Sequence, residues 1–194
     1  VATSKEMVLY NSDNHNFTPT GYNCIYSSLC IEGGILFGSE NIIFRYNYKS
    51  RTMDSIYICQ KKNLDISEYR IQKMVQLKKN KILIGTKEQG IYLYDCCTQQ
   101  LTRFTSDIHH LLISLYVVSD KYVYASFYGN GIYCYNQDGK IVKSYTSKTS
   151  SLNNNYVLDI IEHKGQLWIA TDGGGINILD MNSDQIKVMC HVAG

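Results

Sequence analysis

The stretch QLWIATDGGGINILD, Gln166–Asp180, reads as an apolar strand ending on a small residue, a glycine turn, and an alternating strand closing on an acid. Three earlier segments repeat it: Ile35–Asn47 (ILFGSENIIFRYN), Lys81–Asp95 (KILIGTKEQGIYLYD) and Lys121–Asn136 (KYVYASFYGNGIYCYN). The small residues are Gly38, Gly85, Ala125 and Ala170, so the pattern recurs at 47, 40 and 45 residues. Strand-only self-similarity at about 40–50 residues is the sequence form of a β-propeller blade. The expected fold class is all-β: a β-propeller fragment of about four four-stranded antiparallel blades, with an N-terminal partial blade.

The fourth unit sets the register. Tyr156–Glu162 alternates apolar and polar residues before a turn at His163–Gly165. Gln166–Thr171, Ile176–Asp180 and Gln185–His191 supply the next three strands, with glycine providing the positive φ that the turn at Asp172–Gly175 needs. The second unit fills the same slots with Ile71–Leu77, Lys81–Thr86, Gly90–Asp95 and Gln100–Phe104. The third uses Leu112–Val118, Tyr122–Ser126, Gly131–Asn136 and Ile141–Tyr145. The first uses Cys24–Ile31, Ile35–Ser39, Ile42–Asn47 and Thr52–Ile58. Glu6–Asn11 is expected to be the third strand of a preceding blade, and Asn63–Val75 a loop leading into a strand. The units divide as 1–20 (partial blade), 21–68, 69–108, 109–149 and 150–194, all in one propeller domain. Four and a half blades do not close neatly. An arc of a larger propeller is expected, whose open ends pair with a second copy to give a homodimer.

Composition narrows the function classes. The chain has 194 residues, 44% hydrophobic and 19% charged, with a formal charge of +2. Lys and Arg are scattered singly, so nucleic acid is not an expected partner. No apolar run reaches the length of a membrane span, and the chain starts at Val1 as a piece of something longer would; contact with a membrane is expected only through other parts of the parent protein. Seven cysteines are an odd count without metal spacing; no metal or cofactor is expected. The 17 tyrosines fall mostly at strand positions and read as blade packing.

The residues Asn155-Tyr156-Val157, Ile160, Glu162, Gly165–Thr171 and Gly173–Ile176 resemble the two-component-regulator propeller repeat. The match is close in the fourth unit, moderate in the second at Ile84–Thr86 and Gly90-Ile91, and weak in the other two. The resemblance implies an extracytoplasmic, periplasmic sensor region of a hybrid two-component system of Bacteroides type. There, propellers precede a membrane helix, a histidine kinase and a response regulator, and the sensed ligand is an oligosaccharide. The phosphorelay residues of such systems lie outside this chain.

Site residues follow from blade geometry. Turns between second and third strands, and links into each inner strand, meet at one mouth of the ring. Glu88, Gln89, Phe127, Tyr128, Asn130 and Asp172 lie on the former; His109, His110, Asn154, Asn155 and Tyr156 lie on the latter. Amide, carboxylate and aromatic groups suit sugar hydroxyls and ring faces. Tyr128, Asn130, Glu88, Asp172, His109 and Asn155 are the ligand-binding candidates, with Tyr128 and Asn130 foremost because their loop breaks the glycine pattern. Trp168, Gly173, Gly174, Gly175 and Gly85 are read as structural. For Asn153–Asn155 and Asp172 the favoured reading residue by residue is satisfaction of turn backbone, which Asn and Asp commonly supply. Glu32, Asp159 and Glu162 are the inner-strand acids, with no catalytic motif around them, so no catalytic residue is assigned. The expected function is non-catalytic glycan sensing. A protein-interaction propeller and a propeller-fold glycoside hydrolase or lyase are the alternatives.

Overall fold

The computed structural model describes residues 6–58, 69–105, 110–119 and 121–189. Its regular elements are strands. Glu6–Asn11 (β1) and Asn16–Asn23 (β2) form a two-stranded antiparallel sheet. Four four-stranded antiparallel sheets follow, each a sequential meander. The first is Ser27–Ile31 (β3), Gly34–Gly38 (β4), Ile42–Asn47 (β5) and Met53–Tyr57 (β6). The second is Ile71–Lys78 (β7), Lys81–Thr86 (β8), Ile91–Asp95 (β9) and Gln100–Arg103 (β10). The third is Leu112–Val118 (β11), Tyr122–Phe127 (β12), Gly131–Tyr135 (β13) and Ile141–Tyr145 (β14). The fourth is Val157–His163 (β15), Gln166–Thr171 (β16), Gly175–Asp180 (β17) and Gln185–Met189 (β18). These are the blades the repeat predicts. His109, Cys59, Cys190 and the start of the 63–75 segment lie outside the described residues.

The first blade departs from its sequence reading. Its inner strand begins at Ser27 and not at Cys24, and residues 16–23 form a strand of their own against β1. Left-handed backbone at Cys24 (φ 57°) separates the two strands. β1 therefore has a partner strand of its own, and Thr20 Oγ1 donates to Met7 O at 2.6 Å to tie them.

Apolar clusters fill each gap between blades. Leu36 and Ile43 meet Ile82, Ile84, Tyr92 and Tyr94. Leu83 and Ile91 meet Val123, Ala125 and Tyr135. Tyr124, Ile132 and Tyr145 meet Ile160, Leu167, Ile169 and Leu179. Alternation along each strand sends successive side chains to opposite faces, so one blade serves two clusters. Stacking is what stabilises such repeats, since a single blade buries too little alone.

The role of the small residue is steric. A Cβ on Gly38 would lie 2.5 Å from Ile71, and one on Gly85 would lie 2.2 Å from Leu112. Ile71 and Leu112 each open the inner strand of the next blade, so the preceding blade must leave room. In the third blade this position belongs to Ser126, which pairs across to Ile132 as Gly38 pairs to Ile43 and Gly85 to Ile91. Ala125, expected there from sequence, faces the other way. The spacings become 47, 41 (126 − 85) and 44 (170 − 126). Ser126 Oγ accepts from Ser114 N at 3.0 Å and donates to Val157 O at 3.3 Å, so its hydroxyl ties the inner strand of its own blade to that of the next.

The Asp or Asn closing each third strand also has one job. Asp95 Oδ1 accepts from Cys97 N and Thr98 N, and Asp180 Oδ1 from Asn182 N and Ser183 N. Asn47 and Asn136 do the same for Lys49 and Ser50, and for Asp138 and Lys140. These are Asx turns, which bend the chain into the fourth strand. The amide donors hold the Asp95 and Asp180 carboxyls below the usual carboxylate range.

Candidate ligand-binding rim

The turn between second and third strands and the link into the inner strand are bonded together in successive blades. Lys87 N donates to Arg70 O (2.7 Å), Tyr128 N to Leu111 O (2.9 Å) and Asp172 N to Tyr156 O (2.8 Å). Bonds to the next blade join the units: Ile71 N to Ser39 O, Leu112 N to Lys87 O, and Gly131 N to Asn155 O. The result is one continuous rim, as blade geometry requires.

On this rim the blade 3–4 junction gathers the candidates. The rings of Tyr128 and Tyr156 meet edge to face, with centroids 4.9 Å apart and planes at 76°. Both stay open to solvent, at 59% and 42% exposure. Gly129 supplies the left-handed backbone of this turn (φ 70°), and even a Cβ there would meet the Tyr156 ring only at ordinary contact distance. Asn130 Nδ2 donates to Tyr128 O at 2.9 Å, fixing the turn that carries the tyrosine. Asn155 Oδ1 accepts from Ser147 N at 2.7 Å, and Asn154 Nδ2 donates to Asp172 O at 2.5 Å. The Asp172 side chain is exposed beside them. Tyr128, Asn130, Asn155 and Asp172 therefore share one place, while the Asn130 and Asn155 amides are partly occupied by turn backbone.

Glu88 sits on the second blade's turn, paired with Lys87 at 3.2 Å. His110 is exposed, its ring edge-on to Phe127 at 6.5 Å. Phe127 itself is buried and stacks edge-on against Tyr133 (5.6 Å), so it is core and not rim. His109 lies outside the described residues. Two rim residues escaped the sequence reading. Arg70 occupies in blade 2 the place of Tyr156 in blade 4, and Tyr26 lies in blade 1 in register with Leu158, two positions further along. The Arg70 guanidinium lies 4.9 Å over the Tyr26 ring.

The fourth blade's glycines divide their work. Gly173 and Gly175 have positive φ (71° and 73°), whereas Gly174 is needed for room: its Cβ would lie 2.6 Å from Asn153 Oδ1 and Thr171 Oγ1. Trp168 is half-buried on β16 with its indole N–H buried and unpaired among the described residues.

The inner strands carry a third arrangement. β7, β11 and β15 each bulge at the same place, after Ile71, Leu112 and Val157. A bulge re-aims the side chain that follows. Here the re-aimed residues are Lys73, Ser114 and Asp159. Ser114 Oγ donates to Asp159 Oδ1 at 2.6 Å, and Lys73 Nζ lies 4.0 Å from the same oxygen. Of the other inner-strand acids, Glu162 Oε1 accepts from Gly165 N (2.8 Å) and Glu32 pairs with Lys79 (3.3 Å). Each of these acids already serves a neighbouring group.

Comparison with known proteins follows the same lines. The family model described as "Two component regulator propeller" matches residues 151–173. Curated protein sequences yield no match. Among solved structures, the extracellular domain of a B. thetaiotaomicron protein described as a hybrid two component system superposes with a TM-score of 0.70 at 17% identity, over 87% of this chain and 25% of that one. A second B. thetaiotaomicron extracellular domain, described as from a one component system, gives a TM-score of 0.69 at 19% identity, over 88% and 26%. A computationally designed protein gives 0.62 at 11% identity, over 80% and 89%. The chain thus spans about a quarter of the length of the natural structures it resembles. It is a β-propeller of four-stranded blades, and the match to the two-component-regulator propeller model falls on the first half of its fourth blade.

Proposed function

We propose that the chain is part of the periplasmic sensor region of a hybrid two-component regulator, with an oligosaccharide as its ligand and a kinase outside this chain as its readout. The observation that carries this reading is the Tyr128–Tyr156 corner, an exposed aromatic step on the rim of the regulator-type blade. Two rings at a right angle offer a flat apolar face and a polar tip together, which suits stacking and hydrogen bonding to a sugar. Asp172, Asn130 and Asn155 stand beside it as polar partners. The role is binding, not turnover: ligand would bias the arrangement of a receptor, and the kinase would read the shift.

Calorimetric titration of an oligosaccharide panel into the chain tests this. A ligand bound by the wild type and lost in Tyr128→Ala, with melting temperature unchanged, supports it. Binding that survives in both Tyr128→Ala and Tyr156→Ala moves the site elsewhere, and an inert panel removes the glycan reading. Release of reducing ends from any polysaccharide would replace sensing with hydrolysis.

A further inference from the structure

We propose that the chain associates head to tail, the outer face of its fourth blade receiving the β1–β2 sheet of a second copy. The three interfaces inside the molecule are the template. In each, a second-strand residue faces the following blade and is buried: Leu36 (0%), Leu83 (0%) and Tyr124 (5%). Ladder pairing places Trp168 at the same position in blade 4, opposite Ile161 and Ile178 as Tyr124 stands opposite Tyr116 and Cys134. Trp168 is only half-buried, and Ile161 (53%) and Met189 (54%) lie open around it. The third-strand residues Ile43, Ile91 and Ile132 are fully buried; Ile176, their fourth counterpart, is not. Ala170 stands where Gly38, Gly85 and Ser126 leave room for the next blade's first inner residue.

The other end of the molecule presents the matching half. β1 follows the third-strand pattern, ending Tyr10-Asn11 as β5 ends Tyr46-Asn47 and β9 ends Tyr94-Asp95. Its Met7 is buried toward blade 1 as Ile91 is toward blade 3. Tyr10 therefore takes the place of Tyr94, which is fully buried against the preceding blade, yet Tyr10 is 45% exposed. Phe17 (60% exposed) pairs with it across the sheet, rings 4.9 Å apart, and Pro19 lies on the same side. Each copy thus has one apolar face that looks forward and one that looks back. Two different faces make a heterologous contact, which closes into a ring or grows into a filament. The inference is independent of the ligand reading.

Sedimentation velocity on the 194-residue chain tests it, with Phe17→Lys blocking the backward face and Ile161→Lys the forward one. The wild type should associate with rising concentration, and each variant alone should remain a monomer. An equimolar mixture of the two should form a species of twice the chain mass that grows no further, because only one productive pair of faces remains. A wild type monomeric at every concentration overturns the proposal. So does a Phe17→Lys variant that still dimerises, since that is pairing through two forward faces. Far-UV circular dichroism checks the fold, and Met189→Lys replaces Ile161→Lys if the latter fails to fold.

Discussion

Asn153 and Asn177 clasp one another across the fourth blade. Asn153 N donates to Asn177 Oδ1 at 3.1 Å, and Asn177 Nδ2 donates back to Asn153 Oδ1 at 2.8 Å. Asn177 is fully buried, and Thr171 Oγ1 joins the same oxygen at 3.3 Å. The clasp anchors the link that carries Asn154, Asn155 and Tyr156 to the glycine turn, so the rim rests on it. Truncation of Asn177 to Ala strands buried donors and acceptors, and should cost about 1–3 kcal/mol. Urea denaturation checks this, with a shift in midpoint and an unchanged m-value expected.

The Gly85–Leu112 contact gives a second prediction. Gly85→Ala drives a methyl into a fully buried side chain, and overpacking of this kind costs about 1–3 kcal/mol. Leu112→Ala removes the obstacle. The double variant should therefore be more stable than the two single losses added together imply; strict additivity in a double-mutant cycle would show that the methyl is absorbed elsewhere.

Gln99 ends the Asx turn of the second blade in left-handed backbone, at φ 57°. The third blade places Gly139 (φ 74°) in the corresponding turn. Gln99→Gly removes the Cβ strain of that conformation and should raise stability by up to about 1 kcal/mol. Thermal melting checks the sign. A fall would mean that unfolded-state entropy outweighs the strain.

Acid should loosen the outer turns. Asp95 and Asp180 have folded pKa values below their unfolded ones, near 3.9. Their stabilisation is therefore complete above the unfolded value and is lost as pH falls through the lowered folded value. Asp184 adds to the same window: Lys143 Nζ at 2.9 Å and then the Tyr145 hydroxyl at 2.7 Å keep its carboxyl low. Replacing Asp95 and Asp180 by Asn, which already serves at Asn47 and Asn136, keeps an acceptor and removes the charge. The double variant should lose less stability than the wild type between about pH 5 and pH 2. Parallel acid-melting curves would remove the argument.

Much of this was legible in the chain because a blade is a local object. The alternation of ILFG, KILIGT and QLWIAT fixes which residues share a face, and the Asp or Asn after each third strand marks a turn capped within three residues. Short-range hydrogen bonds and period-two burial are written in consecutive residues, so strands, turns and blade count could be read from sequence alone. The small-residue position in the third blade could not. Ala125 and Ser126 both fit the pattern, and only contact with Val157 on the following blade selects Ser126. Phe127 reads as a loop aromatic until Leu112 and Tyr133 enclose it, and Tyr26 and Arg70 come together only where blades 1 and 2 meet. Sequence thus determined what each blade is, because hydrogen-bonded ladders are made between neighbours in the chain. Tertiary structure decided how blades meet, at the rim, along the bulged inner strands and on the open end faces, because those contacts join residues some 40 positions apart whose shapes must fit each other.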